Sequence, residues 1–532
     1  MFAFGGSFMA IQSARVLASS VSASRRGFLL GATGLVLSGS ALAAPATWRE
    51  RHRPKGAGAS QADWAQLAKA LTHGKLLRPD DPDFHQIVQP NNLRYADIIP
   101  QGVARCGAAS DVAAAIGWAR EFGVPLVTRG GGHSYAGYSM TPGLMIETAW
   151  ISSAAYDVGA GVLRVGAGAR NRDLYRLLRL HGRAMTHGRC PSVGAAGFLL
   201  GGGIGFNMRA HGVAADQLVG SEMVLADGRL RKLSAKASDD LDRDLFWASQ
   251  GGGGGNFGIS TGFALKTFDV SRQRVTVFDL TWKREPDTPC KVPVEEIGAK
   301  LMAVLETSPT KLGSRVSFGA VKASELDNGY DVSISLLGQY MGPADELKAI
   351  LAPVYALCPP NRGRGIEEKD YWPGQDFLHE EGEETFYQER SAFVTHAFGP
   401  DALAAGFEFL RRKPEVSGYC DLRFFQTGGE MNVPKAKDTA FVHRDSRWLM
   451  VVGLYWNHDD QNDPETMKRA HAWQNAFYDR MRPLAGGGAY QNFTDPSLTD
   501  YRQAYYGQNL DRLAAIKGHV DRSDVFRFPQ SI

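Results

Sequence analysis

The sequence has little cysteine and no surplus of charge of either sign. Its 532 residues include five cysteines, none of them in a C-x-x-C pair, and this spacing disfavours a zinc site. The formal net charge is only +3 and there is no basic stripe, so nothing indicates a nucleic acid or a charged membrane surface as a partner. The sequence also lacks the G-x-x-x-x-G-K-[ST] motif, which disfavours nucleotide hydrolysis. What remains is a globular protein long enough for two or three domains.

The N-terminal segment has the character of an export signal. The stretch "SRRGFLL" runs from Ser24 to Leu30, a small-residue apolar segment follows, and "ALA" at 41–43 is typical of a signal-peptidase site. The pattern resembles a twin-arginine signal. It predicts that residues 1–43 are removed, that the twin-arginine translocase is a transient partner, and that the protein is periplasmic or secreted, without a membrane anchor after processing. A single membrane anchor is the alternative, but the apolar run is interrupted by glycines and is shorter than the roughly 20 residues of a spanning helix.

Glycine, by contrast, is abundant, with 61 residues, many of them in three blocks. The first block is "RGGGHSYAGYS", from Arg129 to Ser139. The sequence before it predicts a helix capped by Ser110 or Asp111 and ended by Gly123, and then a short buried strand, "PLVTR". The first block is therefore a loop after a strand, where α/β folds hold ligands.

The second and third blocks are "GAAGFLLGGGIGFNMRAHG", from Gly194 to Gly212, and "WASQGGGGGNFGISTGFALKTF", from Trp247 to Phe268. Backbone N–H groups of such loops can converge on phosphate oxygens. Neither block combines the G-x-G-x-x-G spacing with an acidic residue about 20 positions on, which disfavours a nicotinamide site of the Rossmann type. Two interpretations remain, namely a pyrophosphate held by another loop geometry, or tight turns alone.

Four motifs, taken in order, resemble the berberine bridge enzyme-like group of FAD-linked oxidases, within the vanillyl-alcohol oxidase superfamily. They are "RGGGHSYAGYS", "GRCPSVGAAGFLLGGGIG", "DLFWASQGGGGGNFGI" and the C-terminal stretch that begins "YQNFTDP", and the resemblance spans Asn92 to Ile532. It implies an α+β fold with a PCMH-type FAD-binding domain of two subdomains at 92–270. A substrate-binding domain with an antiparallel sheet backed by helices is expected at 271–485, and the segment 486–532 is expected to return to the FAD domain.

The resemblance implies FAD that is bonded covalently at two positions. In this group the histidine of the first glycine block is joined to the 8-methyl group of the flavin, and here that residue is His133. Cys190, in "GRCPSV", matches a second attachment, a thioether to ring position six. The alternatives are a histidine that only hydrogen-bonds FAD and a cysteine that is a buried free thiol. The residues expected to bind the cofactor are His133, Cys190, Arg129, Gly130, Gly131, Gly132, Ser134, Gly194, Gly197, Gly202, Gly203 and Asn492.

The cysteine count bears on the same question. Because five is an odd number, an exported protein is expected to leave one cysteine outside its disulfides, and the resemblance makes Cys190 that cysteine. The sequence leaves the pairing among Cys106, Cys290, Cys358 and Cys420 open.

The resemblance also indicates a catalytic base. Tyr490, in "YQNF", matches the tyrosine that removes a proton from the substrate in the sugar-oxidising members. A phenol has a pKa of about 10, so a base of this kind needs a nearby cation or hydrogen-bond donors. The alternative is a tyrosine that only packs on the flavin. Some members carry a second catalytic tyrosine at the position that Ile204 occupies in this chain.

The stretch "CDLRFFQTGG" departs from the pattern of the group, which usually offers Gln, Glu or Asp before the paired glycines. Strand alternation puts Asp421, Arg423 and Phe425 on one face. If that face looks at the flavin, Arg423 would lower the pKa of Tyr490 or bind an anionic substrate, and we count it as an expected catalytic residue. In the other register Arg423 lies on the solvent face.

Val193 follows the linking cysteine by three residues and matches the position that lines the oxygen pocket in this group, where valine goes with oxidases and bulkier residues with dehydrogenases. A valine also suits a tightly packed strand end. The expected function is an exported oxidase with bicovalent FAD. It would oxidise an alcohol of a sugar, an oligosaccharide or a bulky secondary metabolite by hydride transfer to FAD, and would reduce dioxygen to hydrogen peroxide. The alternatives are an FAD-dependent dehydrogenase with a quinone or other acceptor, and a non-catalytic, FAD-containing carbohydrate-binding protein.

Overall fold

A computed structural model describes residues 59–532, and the predicted export signal at 1–43 lies outside the described residues. In the described part, no helix is both long and apolar enough to cross a membrane. The α-helices of residues 59–532 are α1 Gln61–Ala70, α2 Phe84–Val88, α3 Ala109–Glu121, α4 Asn171–Leu180, α5 Ala195–Leu200, α6 Met208–His211, α7 Asp240–Ala248, α8 Val294–Glu306, α9 Ala323–Asp327, α10 Ala344–Leu357, α11 Tyr371–Phe377, α12 Pro400–Leu410, α13 His458–Gln461, α14 Pro464–Ala485, α15 Tyr501–Tyr506 and α16 Leu510–Val520.

Four short strands form a mixed sheet. They are β1 Lys75–Leu77, β2 Gly102–Arg105, β3 Leu126–Arg129 and β4 Leu144–Glu147, in the spatial order β1-β2-β4-β3. Strands β2, β4 and β3 run parallel, and β1 is antiparallel at the edge. The first glycine block begins directly after β3, at the carboxyl end of the parallel strands, where open sheets of this kind hold their ligands.

A second sheet is entirely antiparallel and follows in the chain. Its strands are β5 Ala154–Asp157, β6 Val162–Gly166, β8 Leu218–Val224, β9 Leu230–Leu233 and β10 Ile259–Lys266, in the order β5-β6-β10-β8-β9. A separate pair joins β7 Arg183–Ala184 to β11 Phe268–Asp269. The second glycine block lies between β7 and β8, and the third leads into β10, so both blocks connect elements of this half of the fold.

The third sheet has seven strands, all antiparallel. They are β12 Arg274–Trp282, β13 Leu312–Gly319, β14 Ser333–Tyr340, β15 Arg362–Asp370, β16 Phe386–Val394, β17 Cys420–Gln426 and β18 Trp448–Trp456, in the order β15-β12-β14-β13-β17-β18-β16. Helices α8, α10, α12 and α14 cover one face of this sheet. The predicted α+β class, with an antiparallel sheet backed by helices, is confirmed.

Strand β17 shows how the seven-stranded sheet divides its side chains between two environments. Leu422 packs against Gly406 of α12, and Phe424 is fully buried beside it. Arg423 and Phe425 point the other way and line a cavity. The register in which Arg423 lies on the solvent face is therefore wrong, since this residue is only 5% exposed.

The helix that the sequence predicts before the first glycine block corresponds to α3, but it begins differently from the prediction. Neither Ser110 nor Asp111 caps the helix. Asp111 is instead buried, and its carboxylate accepts hydrogen bonds from the backbone N–H groups of His73 and Gly107 at 3.1 and 3.0 Å. The predicted end is confirmed, because Gly123 follows the helix with a φ of +62°.

The cysteines depart from the expectation of one unpaired thiol. Cys290 and Cys358 form a disulfide, which joins the segment before α8 to the end of α10. Cys106, Cys190 and Cys420 are all free. Cys106 and Cys420 belong to different hydrophobic clusters and therefore have no partner within reach. An odd count sets only the minimum number of free thiols.

The first and second glycine blocks meet in a contact that excludes any side chain. A Cβ atom on Gly131 would lie 2.2 Å from the backbone nitrogen of Gly194, and a Cβ on Gly194 would lie 2.4 Å from that of Gly131. The next residue, Gly132, has a φ of +81°, which glycine adopts without strain. The loop after β3 therefore lies directly on the start of α5, four residues after Cys190.

We expect Gly131→Ala to lower the free energy of unfolding by about 1–3 kcal/mol, because two backbone segments must separate to admit one methyl group. Gly117→Ala is the matched control: it lies inside α3, nothing is within 4 Å of its added Cβ, and it should stabilise the protein by about 0.5–1 kcal/mol. Urea unfolding measures both variants. Equal stabilities of the two variants would contradict the contact.

Candidate active site

A cavity of about 480 Å³ lies where the glycine blocks, the seven-stranded sheet and the C-terminal segment meet. Its walls include the loop after β3, the start of α5, the third glycine block and the face of β16, β17 and β18 that the helices leave uncovered. Phe526 and Phe528 close one side. Segments from both ends of the described chain thus surround one space.

The first glycine block offers backbone N–H groups to this cavity. Among the hydrogen bonds of residues 59–532, none uses the N–H of Gly131, Gly132 or His133 as its donor. Ser139 and Ser260 line the same cavity, and neither of their hydroxyl oxygens has a partner in the described part of the chain. Consecutive free N–H groups form a concavity that binds anions. This wall therefore fits the phosphates and hydroxyl groups of a dinucleotide such as FAD.

His133 lines the cavity directly after these glycines. Its Nε2 lies 3.1 Å from the hydroxyl oxygen of Ser192. Burial lowers the pKa of His133 to about 4, and the charges of Arg170 and Arg129 act in the same direction. The imidazole is therefore neutral near pH 7 and keeps a nitrogen lone pair for bonding.

Cys190 lines the cavity close to Gly382, where an added Cβ would lie 3.2 Å from its Sγ. Burial raises the pKa of this thiol to about 11, and Glu380 adds to the effect, while Arg189 and Arg315 oppose it. Glu380 accepts hydrogen bonds from both arginines, at 2.8 Å from Arg315 Nη1. Burial alone would raise the pKa of Glu380, but the two arginines outweigh it and lower that pKa to about 2. The thiol is thus protonated at rest, beside two fixed cations.

Tyr490 lines the cavity and is only 1% exposed. Its hydroxyl oxygen accepts hydrogen bonds from the N–H of Gly203 and from Nδ2 of Asn492, both at 3.1 Å. Burial raises the pKa of Tyr490 to about 12, although these donors and the backbone of Ile204 favour the ionised form. The structure therefore supplies the hydrogen-bond donors that a tyrosine base needs, but no cation acts on its pKa.

Arg423 is held by acidic neighbours. Its Nε and Nη2 donate to the two oxygens of Asp421 at 2.9 and 3.1 Å, its Nη1 donates to Glu389 Oε1 at 2.9 Å, and its Nη2 also donates to the hydroxyl of Tyr419. Burial would lower the pKa of Arg423, but these neighbours outweigh it and raise that pKa. The prediction that Arg423 lowers the pKa of Tyr490 is not supported, because its charge is already matched by two carboxylates and does not act on the tyrosine.

Most of the expected site residues line this cavity. They are His133, Cys190, Gly130, Gly131, Gly132, Ser134, Gly194, Gly197 and Asn492 among the cofactor residues, with Val193, Tyr490 and Arg423 among the catalytic ones. An added Cβ on Gly197 would meet nothing within 4 Å, so this part of the wall leaves room for a flat ring system.

Three expected cofactor residues serve the fold instead. Arg129 donates to the carbonyl oxygen of Val88 at 3.1 Å and so connects the start of the loop to the last residue of α2. A Cβ on Gly202 would lie 2.6 Å from the ring of Phe441, so packing requires this glycine. Gly203 holds the tyrosine hydroxyl described above. None of these three residues lines the cavity, so their predicted contact with the cofactor stays a prediction.

The sequence analysis missed Tyr387 and Glu389 on β16 and Tyr455 on β18, which line the cavity opposite the glycine loops. Every residue of β16 is buried, so the usual alternation of polar and apolar side chains is absent from this strand. The available signal was the group of polar residues in "FYQERSAFV", which is unusual in a fully buried strand.

Comparison with known proteins agrees with this geometry. The FAD binding domain family matches residues 100–234, and the family described as berberine and berberine like matches residues 489–532. The first range contains His133 and Cys190, and the second contains Tyr490. Over 472 residues, the chain is 29% identical to the uncharacterized FAD-linked oxidoreductase YgaK of Bacillus subtilis, covering 88% of this chain and 98% of that one.

Two further similarities extend over most of the chain. A carbohydrate oxidase of Microdochium nivale is 29% identical over 484 residues, which cover 85% of this chain and 92% of that one. The structure of wild-type BBE-like 1 of Physcomitrella patens matches with a TM-score of 0.75 at 25% identity, covering 88% of this chain and 98% of that one. The resemblance that the four motifs indicate is thereby confirmed.

Proposed function

We propose that this chain, an FAD-linked oxidoreductase of the berberine bridge enzyme-like group, oxidises a hydroxyl group of a sugar, an oligosaccharide or another bulky alcohol and passes the electrons to dioxygen. The observation that carries the proposal is the cavity that brings His133, Cys190 and Tyr490 together with Glu389 and Arg423. The similarity to a carbohydrate oxidase supports the substrate class.

The two sides of the cavity would perform different tasks. FAD, when bound, supplies an acceptor for the hydrogen and electron pair that leave the carbon of the substrate. On one side, the N–H groups of Gly131, Gly132 and His133 would hold its phosphates. On the other side, polar groups of β16, β17 and β18 would bind the hydroxyl group that is oxidised. Because those polar groups are buried, they keep a fixed orientation towards the reacting carbon.

The proposal includes covalent attachment of FAD at both His133 and Cys190. The neutral imidazole of His133 supplies a lone pair for the first bond. The second bond requires the thiolate of Cys190, which the positive charges of Arg189 and Arg315 would stabilise. Each bond joins an N–H or S–H group to a C–H group of the flavin with loss of two hydrogens, which dioxygen takes up as hydrogen peroxide. Two tethers would hold the flavin with less non-covalent clamping and leave the cleft open to bulky substrates.

We expect the flavin to stay with the protein pellet after denaturation and acid precipitation. Flavin should remain attached in both His133→Ala and Cys190→Ala, through the other residue in each case, and only the double variant should release it. Cys420→Ala is the control, because this free cysteine is buried away from the cavity and should leave both bonds intact. Flavin found wholly in the supernatant of the wild-type protein would overturn bicovalent attachment.

Dioxygen as the acceptor is supported by Val193, which lines the cavity and whose carbonyl oxygen accepts a hydrogen bond from the N–H of Asn171 at 2.9 Å. This bond fixes the backbone, so the size of the side chain decides how much space is left beside the flavin. An added methylene would fill the volume that dioxygen needs.

A panel of mono- and oligosaccharides and aromatic alcohols tests separately the reduction of the flavin by a substrate and its reoxidation by air. A substrate should bleach the yellow flavin without air, and air should restore the colour with release of hydrogen peroxide. Val193→Ile should slow the return of colour far more than the bleaching, as measured by stopped-flow absorbance. If the reduced wild-type flavin persists in air and is discharged at once by a quinone, the enzyme is a dehydrogenase.

Export through the twin-arginine route completes the proposal, since a site that binds its flavin when formed needs a route for folded proteins. Replacing Arg25 and Arg26 together by lysine should leave yellow, active enzyme in the cytoplasm, while the wild-type protein collects outside it. Cell fractionation and activity measurements check this outcome. Equal export of the double variant would contradict it.

A further inference from the structure

Glu389 is a buried residue of the cavity wall, and one of its two carboxylate oxygens has no hydrogen-bond partner in the described part of the chain. The residue is only 2% exposed. Its Oε1 accepts hydrogen bonds from Arg423 Nη1 at 2.9 Å and from the hydroxyl of Tyr455. Its Oε2 has no hydrogen-bond partner in the described part of the chain. An unpartnered buried oxygen is costly, and the residue that carries it lines the cavity, so a ligand bound there is the available source of the missing donor.

The neighbouring carboxylate differs in this respect. Asp421 is as buried as Glu389 and belongs to the same ion-pair cluster, but Arg423 engages both of its oxygens. Asp421 does not line the cavity, whereas Glu389 does. The single guanidinium thus uses Asp421 as its main counter-ion and fixes one oxygen of Glu389. Arg423 is therefore a positioning residue, which leaves the second oxygen of Glu389 unpaired.

We propose that Glu389 is the catalytic residue that accepts the proton of the substrate hydroxyl, through its unpaired oxygen. The inference rests on the proposed function. In the step, the O–H bond breaks and its proton goes to Glu389 Oε2. The C–H bond on the same carbon breaks and its hydrogen leaves with the electron pair to the flavin, which is the oxidant. A C=O bond forms, the substrate loses two electrons, and the flavin gains them.

Two observations favour Glu389 over Tyr490 in this role. Both hydrogen bonds of the Tyr490 hydroxyl come from fixed donors, Gly203 and Asn492, which hold the phenol on its own side of the cavity. Burial also raises the pKa of Tyr490 to about 12, so the phenolate is scarce at neutral pH. Tyr490 would instead orient the substrate.

The pH dependence of the reaction separates these groups. The charged and titratable groups around Glu389 are Arg423, Asp421 and Tyr419 at β17, Tyr455 on β18, Tyr387 on its own strand, and Tyr135 and Cys190 across the cavity. Burial raises the pKa of each of the four tyrosines and of the cysteine. Glu389 and Asp421 are the two carboxylates of this set, so variants of these two residues separate the proton acceptor from its neighbour.

Glu389→Gln and Asp421→Asn form the matched pair of variants. Each removes one negative charge from the same buried cluster, but only the first removes the unpaired carboxylate oxygen. We expect Glu389→Gln to slow anaerobic flavin reduction by about 10²–10⁴-fold and to abolish its decline at low pH. Asp421→Asn should retain that decline and lose less than about tenfold, within the range of a group that does not transfer the proton. Covalent flavin content should be the same in both variants.

A binding measurement gives a second readout that needs no turnover. Deoxynojirimycin is a sugar analogue with a basic nitrogen, and its cation should pair with the unpaired oxygen of Glu389. Calorimetry should show at least tenfold weaker binding to Glu389→Gln than to the wild-type protein. Binding to Asp421→Asn should change less, because the oxygen that meets the cation is still present. Equal binding to the wild-type protein and Glu389→Gln would count against the inference.

The outcomes distinguish this inference from the proposed function. If a substrate bleaches the wild-type flavin and Glu389→Gln reacts as fast with an unchanged pH profile, Glu389 is not the proton acceptor, although the enzyme remains an alcohol oxidase. If Tyr490→Phe abolishes the low-pH decline and Glu389→Gln does not, the role passes to Tyr490. If no member of the panel bleaches the wild-type flavin, while dithionite does, the proposed function itself fails and the inference fails with it.

Discussion

The contact between the backbones of Gly131 and Gly194 is the constraint on which the site depends. It joins the loop after β3 to the start of α5, so two segments that are about sixty residues apart in the chain share one wall of the cavity. His133 follows one glycine by two residues, and Cys190 precedes the other by four. A methyl group on either glycine would drive the two segments apart, and both side chains would move with them.

Burial decides the protonation states around this wall. It keeps His133 neutral, with help from the charges of Arg170 and Arg129, and it keeps the Cys190 thiol protonated although Arg189 and Arg315 oppose it. Buried charges are tolerated only where they are paired, and here each cluster shares its charges: Glu380 lies between two arginines, and Arg423 lies between two carboxylates. The first cluster has one carboxylate and two guanidinium groups, and the second has one guanidinium group and two carboxylates. In the proposed function, the first would stabilise a developing thiolate, and the second leaves one carboxylate oxygen without a hydrogen-bond partner in the described part of the chain.

Arg423 and Tyr490 show what local sequence patterns predict and what they leave undetermined. The alternation of "CDLRFFQ" correctly placed Arg423 and Phe425 on one face, but two faces were open to them. Only the packing of helices α8, α10, α12 and α14 on the opposite face decided between the cavity and the solvent. The motif around Tyr490 indicated a tyrosine at the flavin. Its hydroxyl partner Gly203, however, lies nearly three hundred residues away in the chain, and no local pattern links the two.

By itself, the sequence determined the glycine-rich motifs, because a glycine run that continues into a reactive side chain places strong local demands on the backbone. The resemblance that these motifs carry implied the α+β class and the residues expected to bind FAD. It also marked Arg129, Gly202 and Gly203, but it did not distinguish glycines that face a ligand from glycines and arginines that hold the fold. Tertiary structure alone decided that distinction, and it alone brought Glu389 to Arg423. Strand β16 is buried along its whole length, so its sequence has no polar and apolar period from which a register could be read. The pairing of β16 with β18, and of β18 with β17, is what places the carboxylate beside the guanidinium.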